Sequence, residues 1–290
     1  MTWATLLRLA LPASLGVACL STPEPRNVTS GASARSGGAA GTATAWSSSF
    51  ERVNWSSEWL PKNKGSFGLD NTSVETDPES PGGRYLRVRY YQGGASPSAS
   101  RRVGVKEGGA QLLGQLPNGS ADRLFLRYFV RFATDFDFVK GGKLPGFYGG
   151  QNISGGHIPN GTDGFSTRFM WRTAGQGEVY VYMPSSTRFG SSLGRGSFRF
   201  EPGKWHCIEQ ELDLNTPGEP DGRLRVWLDS KSVFEQSALL FRSVADLRIE
   251  GVFFSTFFGG GDESWAPPRD TYADFAAFAT ADTRVGCNVK

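Results

Sequence analysis

The stretch from Arg123 to Phe132 constrains this chain more than any other. Leu124, Leu126, Tyr128, Val130 and Phe132 fall on every second position, with Arg123, Arg127 and Arg131 on the alternate set. Successive side chains of a β-strand point to opposite faces, so a period of two predicts a strand with one apolar face on a core and one cationic face in water. Strand patterns recur at 84–91, 165–173, 178–183, 205–214, 223–229, 247–257 and 271–279. Turn residues such as Asn215-Thr216-Pro217-Gly218 and Pro220-Asp221-Gly222 separate them. No segment carries the pattern of a long helix. Many short strands joined by turns predict an all-β chain folded as a sandwich or jelly roll. The content of 21 Phe and 38 Gly residues suits that class.

The N-terminus reads as an address. Arg8 is followed by an apolar stretch over 9–18 and then Cys19. This is too short to span a bilayer and has the form of an export signal over 1–19. Leu15-Gly16-Val17-Ala18-Cys19 also resembles a bacterial lipoprotein signal, with Gly16 standing where a larger apolar residue is usual. Two readings stay open, simple secretion or a lipid anchor on Cys19 at the outer membrane or cell surface, and the anchor is the one expected link to a membrane. Residues 20–45 are rich in Ser, Gly, Ala and Thr and read as a tether, so a single folded domain is expected over 46–290. The remaining cysteines, Cys207 and Cys287, are expected to form a disulfide after export rather than stand as two buried thiols.

The net charge of +3, with no basic run, gives no footprint for nucleic acid. It suits an acidic ligand if the cations gather on one face. One hairpin gathers them. With Ala174-Gly175-Gln176 as its loop and Thr173 opposite Gly177, Phe169 faces Val181, Trp171 faces Val179 and Thr167 faces Met183. The other face, expected to be exposed, then holds Ser166, Arg168, Arg172, Glu178, Tyr180 and Tyr182, with Arg168 opposite Tyr182 and Met170 opposite Tyr180. Upstream, Lys140-Gly141-Gly142-Lys143-Leu144-Pro145-Gly146 reads as a Gly-rich turn presenting Lys140 and Lys143. Gln151, Asn152 and His157 follow on an irregular, polar, Gly-rich segment.

Three of these segments, 138–146, Ser166-x-Arg168 and Tyr180-x-Tyr182, resemble polysaccharide lyase family 14, which includes alginate lyases and other uronate lyases. The likeness covers most of 120–279. It implies a β-jelly roll, a two-sheet antiparallel sandwich, whose concave sheet forms the substrate cleft. It also implies that Lys143, Ser166, Arg168, Tyr180 and Tyr182 are the site residues.

The chemistry of uronate β-elimination asks for such residues. A cation must neutralise the carboxylate beside C5, a role for the fork of Arg168 with Gln151 or Asn152. A base must take the C5 proton, and an acid must protonate the departing O4. Lys143, Tyr180 and Tyr182 are the candidates, with base and acid undivided at this stage. Ser166 is expected to orient substrate, with Lys140 and His157 as further substrate contacts. No cofactor and no metal are expected, since His157 and His206 lack ligand spacing and His206 reads as structural. The expected partner is an acidic polysaccharide of alginate or glucuronan type.

Two other readings compete. A jelly-roll glycoside hydrolase would place its carboxylates at Glu211-Leu212-Asp213-Leu214-Asn215, but Asn215 stands where an acid is required. That segment reads instead as an exposed acidic strand edge. A non-catalytic carbohydrate-binding module would use exposed aromatics such as Trp265 or Tyr148, with Trp205 and Trp227 left in the core.

Overall fold

The computed structural model describes residues 44–289 apart from 53, 63 and 152. Cys19, the export segment and Asn152 lie outside the described residues. In chain order the first elements are β1 (Thr44–Ser48), β2 (Thr72–Thr76), β3 (Arg84–Tyr90), the short helix α1 (Pro97–Val103), β4 (Ala110–Gln115) and β5 (Arg123–Phe132). Then come β6 (Gly141–Gly150), β7 (Gly164–Arg172), β8 (Gln176–Tyr182), β9 (Ser191–Arg199) and β10 (His206–Asp213). The last are β11 (Gly222–Leu228), β12 (Lys231–Leu239), β13 (Gly251–Phe258) and β14 (Thr271–Ala281). Thr44 and Ala45, expected in the tether, already belong to β1.

The strands form two antiparallel sheets. One has the order β12-β11-β10-β5-β14-β3-β2, with β1 also paired to β14; the other is β4-β13-β6-β7-β8-β9. The expected all-β jelly-roll sandwich is the architecture found. Its core is the apolar set of β5 (Leu124, Leu126, Tyr128, Val130 and Phe132) packed with Phe275 and Phe278 of β14 against Phe147, Phe169, Trp171, Val181 and Phe254 of the facing sheet. Tyr128 stacks on Phe278 at 4.8 Å between ring centres, and Trp171 meets Phe132 at 5.5 Å. Burying each such side chain contributes about 1.5–3 kcal/mol.

Polar bridges cross this core behind the face discussed below. Thr167 Oγ1 donates to Gln210 Oε1 (2.6 Å), and Gln210 Nε2 donates to the Thr167 carbonyl (3.0 Å). Tyr128 Oη donates to the Pro145 carbonyl (3.1 Å). Buried polar groups must be paired, so these bridges set how the two sheets lie against each other locally.

The second face of β5 departs from expectation in part: Arg123 is exposed, but Arg131 is half-buried and Arg127 is covered. Arg127 is only 7% exposed and donates to the Ala277 carbonyl. Arg131 and Arg87 both pair with the buried Asp274 of β14. The chain beyond β14 packs here: Cys287 and Val289 pack with Phe129, Cys207, Ala276 and Ala277. Glu209 of β10 accepts from the N–H groups of Val285 (2.6 Å) and Gly286 (3.2 Å). The expected Cys207–Cys287 disulfide is present and closes a separation of 80 residues. Trp205 and Trp227 sit on this outer side rather than between the sheets; Trp205 joins the Cys287 cluster and Trp227 carries the Arg284 guanidinium at 4.7 Å.

Closing so long a loop stabilises a fold by about 2–4 kcal/mol. Cys287→Ser is therefore expected to lower Tm by roughly 4–16 °C, read by thermal denaturation with and without reductant. A melting curve unaffected by either would show that the tail adds nothing to the fold.

Candidate active site

The outer face of the six-stranded sheet carries the polar set. Outward positions are Gln111 on β4, Phe253 and Ser255 on β13, Lys143 and Tyr148 on β6, Ser166, Arg168 and Met170 on β7, and Glu178, Tyr180 and Tyr182 on β8. Their neighbours along each strand, among them Leu112, Phe254, Phe147, Phe169 and Val179, face the core.

The β7–β8 register differs from the expected one by two residues. Ser166 pairs with Tyr182, Arg168 with Tyr180, Met170 with Glu178 and Trp171 with Gly177. The chain reverses over Thr173–Gly175, because Ala174 and Gly175 both take positive φ (55° and 76°). Gly177, opposite Trp171, leaves space that the Phe198 ring fills. A shift of two preserves the faces, since the side-chain period is two.

Most of this face, expected to be exposed, is shielded from solvent. Ser166, Arg168, Met170, Glu178 and Tyr182 are buried, with Ser166 and Glu178 at 0%. The segment after β6 folds over Ser166 and Tyr182: Ser166 Oγ donates to the Ile153 carbonyl (2.6 Å), and Gly156 N–H donates to Tyr182 Oη (3.2 Å).

Residues 141–146 form strand, not a Gly-rich turn. β6 lies centrally, between β13 and β7, with a bulge between Leu144 and Gly146. Pro145 is the extra residue of that bulge, which is how a central strand accommodates a residue without an N–H. Gly146 is required there, since a β-carbon would run into the Thr167 carbonyl and lie 2.6 Å from Arg168 Cα.

Arg168 reaches across β6 at this glycine. Its guanidinium lies 4.5 Å from the centre of the Phe253 ring, and Nη1 donates to Ser255 Oγ (3.0 Å), which in turn donates to Gln111 Oε1 (2.9 Å). Arg168 is 2% exposed, its Nε has no hydrogen-bond partner, and no carboxylate pairs with it among the described residues. Burial pushes its pKa down to about 10, against the opposing pull of Tyr182 and Tyr180.

Lys143 projects from β6 toward the same place. Its Nζ sits 2.8 Å from Met170 Sδ and 3.7 Å from the centre of the Tyr180 ring. Burial, then the charges of Arg168 and Arg172, hold the ammonium well below the usual lysine range, with Glu178 opposing. Tyr180 moves the other way. Burial, the neighbouring Tyr182 and the hydrogen bond to it push the phenol up to about 12, while Arg168 and Arg172 pull it down. The two tyrosine rings meet edge-on at 5.8 Å. The face thus holds an amine biased toward its neutral form beside a phenol biased toward its protonated form.

Other expected residues fall elsewhere. Lys140 is exposed, and its Nζ bonds Ser264 Oγ (2.6 Å), tying β6 to the loop after β13 instead of facing the cluster. Gln151 is exposed and lines a neighbouring pocket, and His157 is exposed in the turn beside Gly156. Tyr148, expected as an exposed platform, is 0% exposed, shut in by Ile153 and Phe253. Glu211, expected at an exposed acidic edge, is on a central strand of the other sheet with its side chain buried, paired with Arg123 (2.7 Å) and Arg225. Ion-paired three times, with Arg223 also 3.9 Å away, it has neither the access nor the partner acid for hydrolysis. His206 is 1% exposed and bonded to Asp229 (3.0 Å) and to the Glu201 N–H (2.8 Å), a structural setting.

Several contributors went unread in the sequence. Ser255 and Phe253, which seat Arg168, lie in a nearly continuous apolar run that offers no period to mark them. Arg195 (2.7 Å) joins Arg172 (2.6 Å) on the buried Glu178, and only contact across β8 and β9 unites them.

The lowered Lys143 pKa is directly measurable. In nitrogen-15 NMR of the lysine Nζ groups, Lys143 is expected to titrate below the others, with its signal assigned by loss in Lys143→Arg. Arg172→Gln removes a nearby positive charge and is expected to move that titration upward. A Lys143 titration coincident with the exposed lysines would contradict the buried, cationic setting.

Comparison with known proteins gives a consistent picture. The profile of the family polysaccharide lyase 14 matches residues 78–278. No curated protein matches the sequence. A marine PL-14 alginate lyase from Aplysia kurodai is 32% identical, with a TM-score of 0.70 over 82% of this chain and 98% of that one. Alginate lyase vAL-1 from Chlorella virus is 22% identical (TM-score 0.65, 76% of this chain and 92% of that one) and shares the fold. An endo-beta-1,4-glucuronan lyase from the fungus Trichoderma reesei, 11% identical, also shares it (TM-score 0.55, 83% and 96%). With a family match over 78–278 and a relative 32% identical along nearly its whole length, this chain belongs to polysaccharide lyase family 14.

Proposed function

We propose that the protein cleaves a uronic-acid polymer by β-elimination, without a metal, on the outer face of the six-stranded sheet. The observation that carries this reading is Arg168, a buried cation with an unpartnered Nε and no carboxylate of its own. Burying an uncompensated charge costs several kcal/mol, so the site gains most from a ligand that brings a carboxylate. The 32% identical relative is named an alginate lyase, which favours alginate within the uronate class.

The two perturbed groups then divide the proton transfers. Arg168 binds the carboxylate and takes up the charge that grows as C5 is deprotonated. Lys143, favoured as a neutral amine, accepts the C5 proton. The C5–H electron pair forms the C4=C5 double bond, the C4–O4 bond breaks, and Tyr180 gives its proton to O4. Tyr182, held by the Gly156 N–H, orients Tyr180. Ser166 is committed to the Ile153 carbonyl and shapes the end of the cleft. Export belongs to the same proposal: the Cys207–Cys287 disulfide suits an oxidising compartment, and the segment around Cys19 reads as the signal or lipid anchor.

β-Elimination leaves a conjugated, unsaturated uronate that absorbs in the ultraviolet, whereas hydrolysis and binding do not. Incubation with poly-mannuronate, poly-guluronate and glucuronan is expected to raise absorbance on at least one polymer. Lys143→Ala and Tyr180→Phe are each expected to lower the rate about 100- to 10,000-fold. The initial rate is expected to climb with pH as Lys143 loses its proton. No absorbance on any polymer, or undiminished rates in both variants, would overturn the proposal.

A further inference from the structure

The chain ahead of the family match brings cations to the same sheet face. Pro61, Lys62 and Phe67 lie along the otherwise free edge of β4. Pro61 bridges Gly114, the Lys62 N–H donates to the Leu113 carbonyl (2.9 Å), and Phe67 and Gln111 exchange backbone hydrogen bonds (3.1 and 2.9 Å). Between these pins residues 64–66 form a bow, with Gly65 at φ 90°. Gln111 Nε2 fixes the bow by donating to the Gly65 carbonyl (2.7 Å). An edge strand is thereby covered, and a pocket of about 540 Å³ opens between the bow and the segment after β6.

That pocket adjoins Arg168. Phe253, on which the Arg168 guanidinium stacks, also lines the pocket, together with Leu113, Gln111, Gln151, Lys62 and Lys64. Its size falls in the range of about 300–1,000 Å³ usual for small-ligand sites. Its composition suits a sugar acid, with an aromatic and a leucine for a ring face, the Gln151 amide for hydroxyls and a cation for the carboxylate. Lys62 is already matched, with Nζ 2.5 Å from Glu250 and 4.9 Å above the Tyr148 ring. Lys64 is exposed, and among the described residues no carboxylate pairs with it. The pocket therefore carries one uncompensated positive charge, next to a second at Arg168.

We infer that this pocket is a second uronate subsite, in which Lys64 takes the carboxylate of a sugar beyond the one cleaved at Lys143; the inference rests on the uronate-lyase reading above. A uronate polymer bears a carboxylate on every residue. A chain with one carboxylate on Arg168 presents its neighbours along the same sheet face, and the bow supplies the next cation. The subsite adds affinity for longer chains without touching the reacting sugar, so it acts on KM and not on kcat.

The test uses the full chain in two assays. In the ultraviolet assay, Lys64→Ala and Lys64→Glu are expected to raise KM for the preferred polymer about 5- to 10-fold at low salt, with kcat unchanged. On the shortest cleavable oligouronate both are expected to match the parent, and Lys64→Arg is expected to restore KM. In calorimetry on a Lys143→Ala background, Lys64→Glu is expected to weaken long oligouronates by the same factor and short ones not at all. Equal KM and equal binding in all Lys64 variants, with turnover intact, would overturn the subsite and leave the lyase standing. An increase as large on the shortest substrate would also overturn it, since the lysine would then act on the reacting sugar. No turnover in the parent, with length-dependent uronate binding still lost in Lys64→Glu, would overturn the lyase reading and keep the pocket as a uronate site.

Discussion

The site depends on one buried cation. Arg168 gives up nearly all contact with water and receives in exchange an aromatic ring and a serine hydroxyl, not a carboxylate. Neither partner neutralises the charge, so the guanidinium remains under electrostatic tension until an anion arrives. The same uncompensated charge works on its neighbours. It helps depress the Lys143 ammonium, and it draws the Tyr180 phenol down from the still higher value that burial alone would set. In the proposed mechanism, affinity for a carboxylate and readiness for proton transfer thus share a physical origin.

Several features of the fold in this region fix the position of Arg168. Gly146 removes the side chain that would block its path across β6, and the Pro145 bulge shifts the register so that the gap falls opposite Arg168. Tyr128 reaches through the core to the Pro145 carbonyl, and Gln210 clasps Thr167 on the strand that carries Arg168. These contacts come from the other sheet, so the site is supported from behind by the sandwich as a whole. On the far side, the disulfide and the Glu209 contacts hold the tail over β5 and β10, away from the proposed site.

Period-two patterning made much of this legible. β5 spans the same residues that the alternation of Leu124 to Phe132 predicts, and the partition of β7 and β8 into faces survived an error in register because a shift of two leaves faces intact. The β6 strand was hidden by its glycines and Pro145, which ordinarily punctuate chains; here they serve close approach and a bulge. Burial was hidden as well. Lys, Arg, Ser and Tyr read as solvent-facing, but residues 153–156 return over Ser166 and Tyr182, while Phe253 and Ser255 cover Arg168. The partners of Arg168 and Glu178 come from strands distant in sequence, and local pattern carries no signal for such contacts.

The most direct measurement is a crystal structure of the Lys143→Ala protein with an oligouronate bound. The proposed mechanism predicts one sugar carboxylate within hydrogen-bond distance of Arg168. It also predicts that the C5 hydrogen of that sugar points to the space left by Nζ, with O4 near Tyr180 Oη. An oligomer bound with its carboxylates turned away from Arg168, or on another surface of the sandwich, would contradict it.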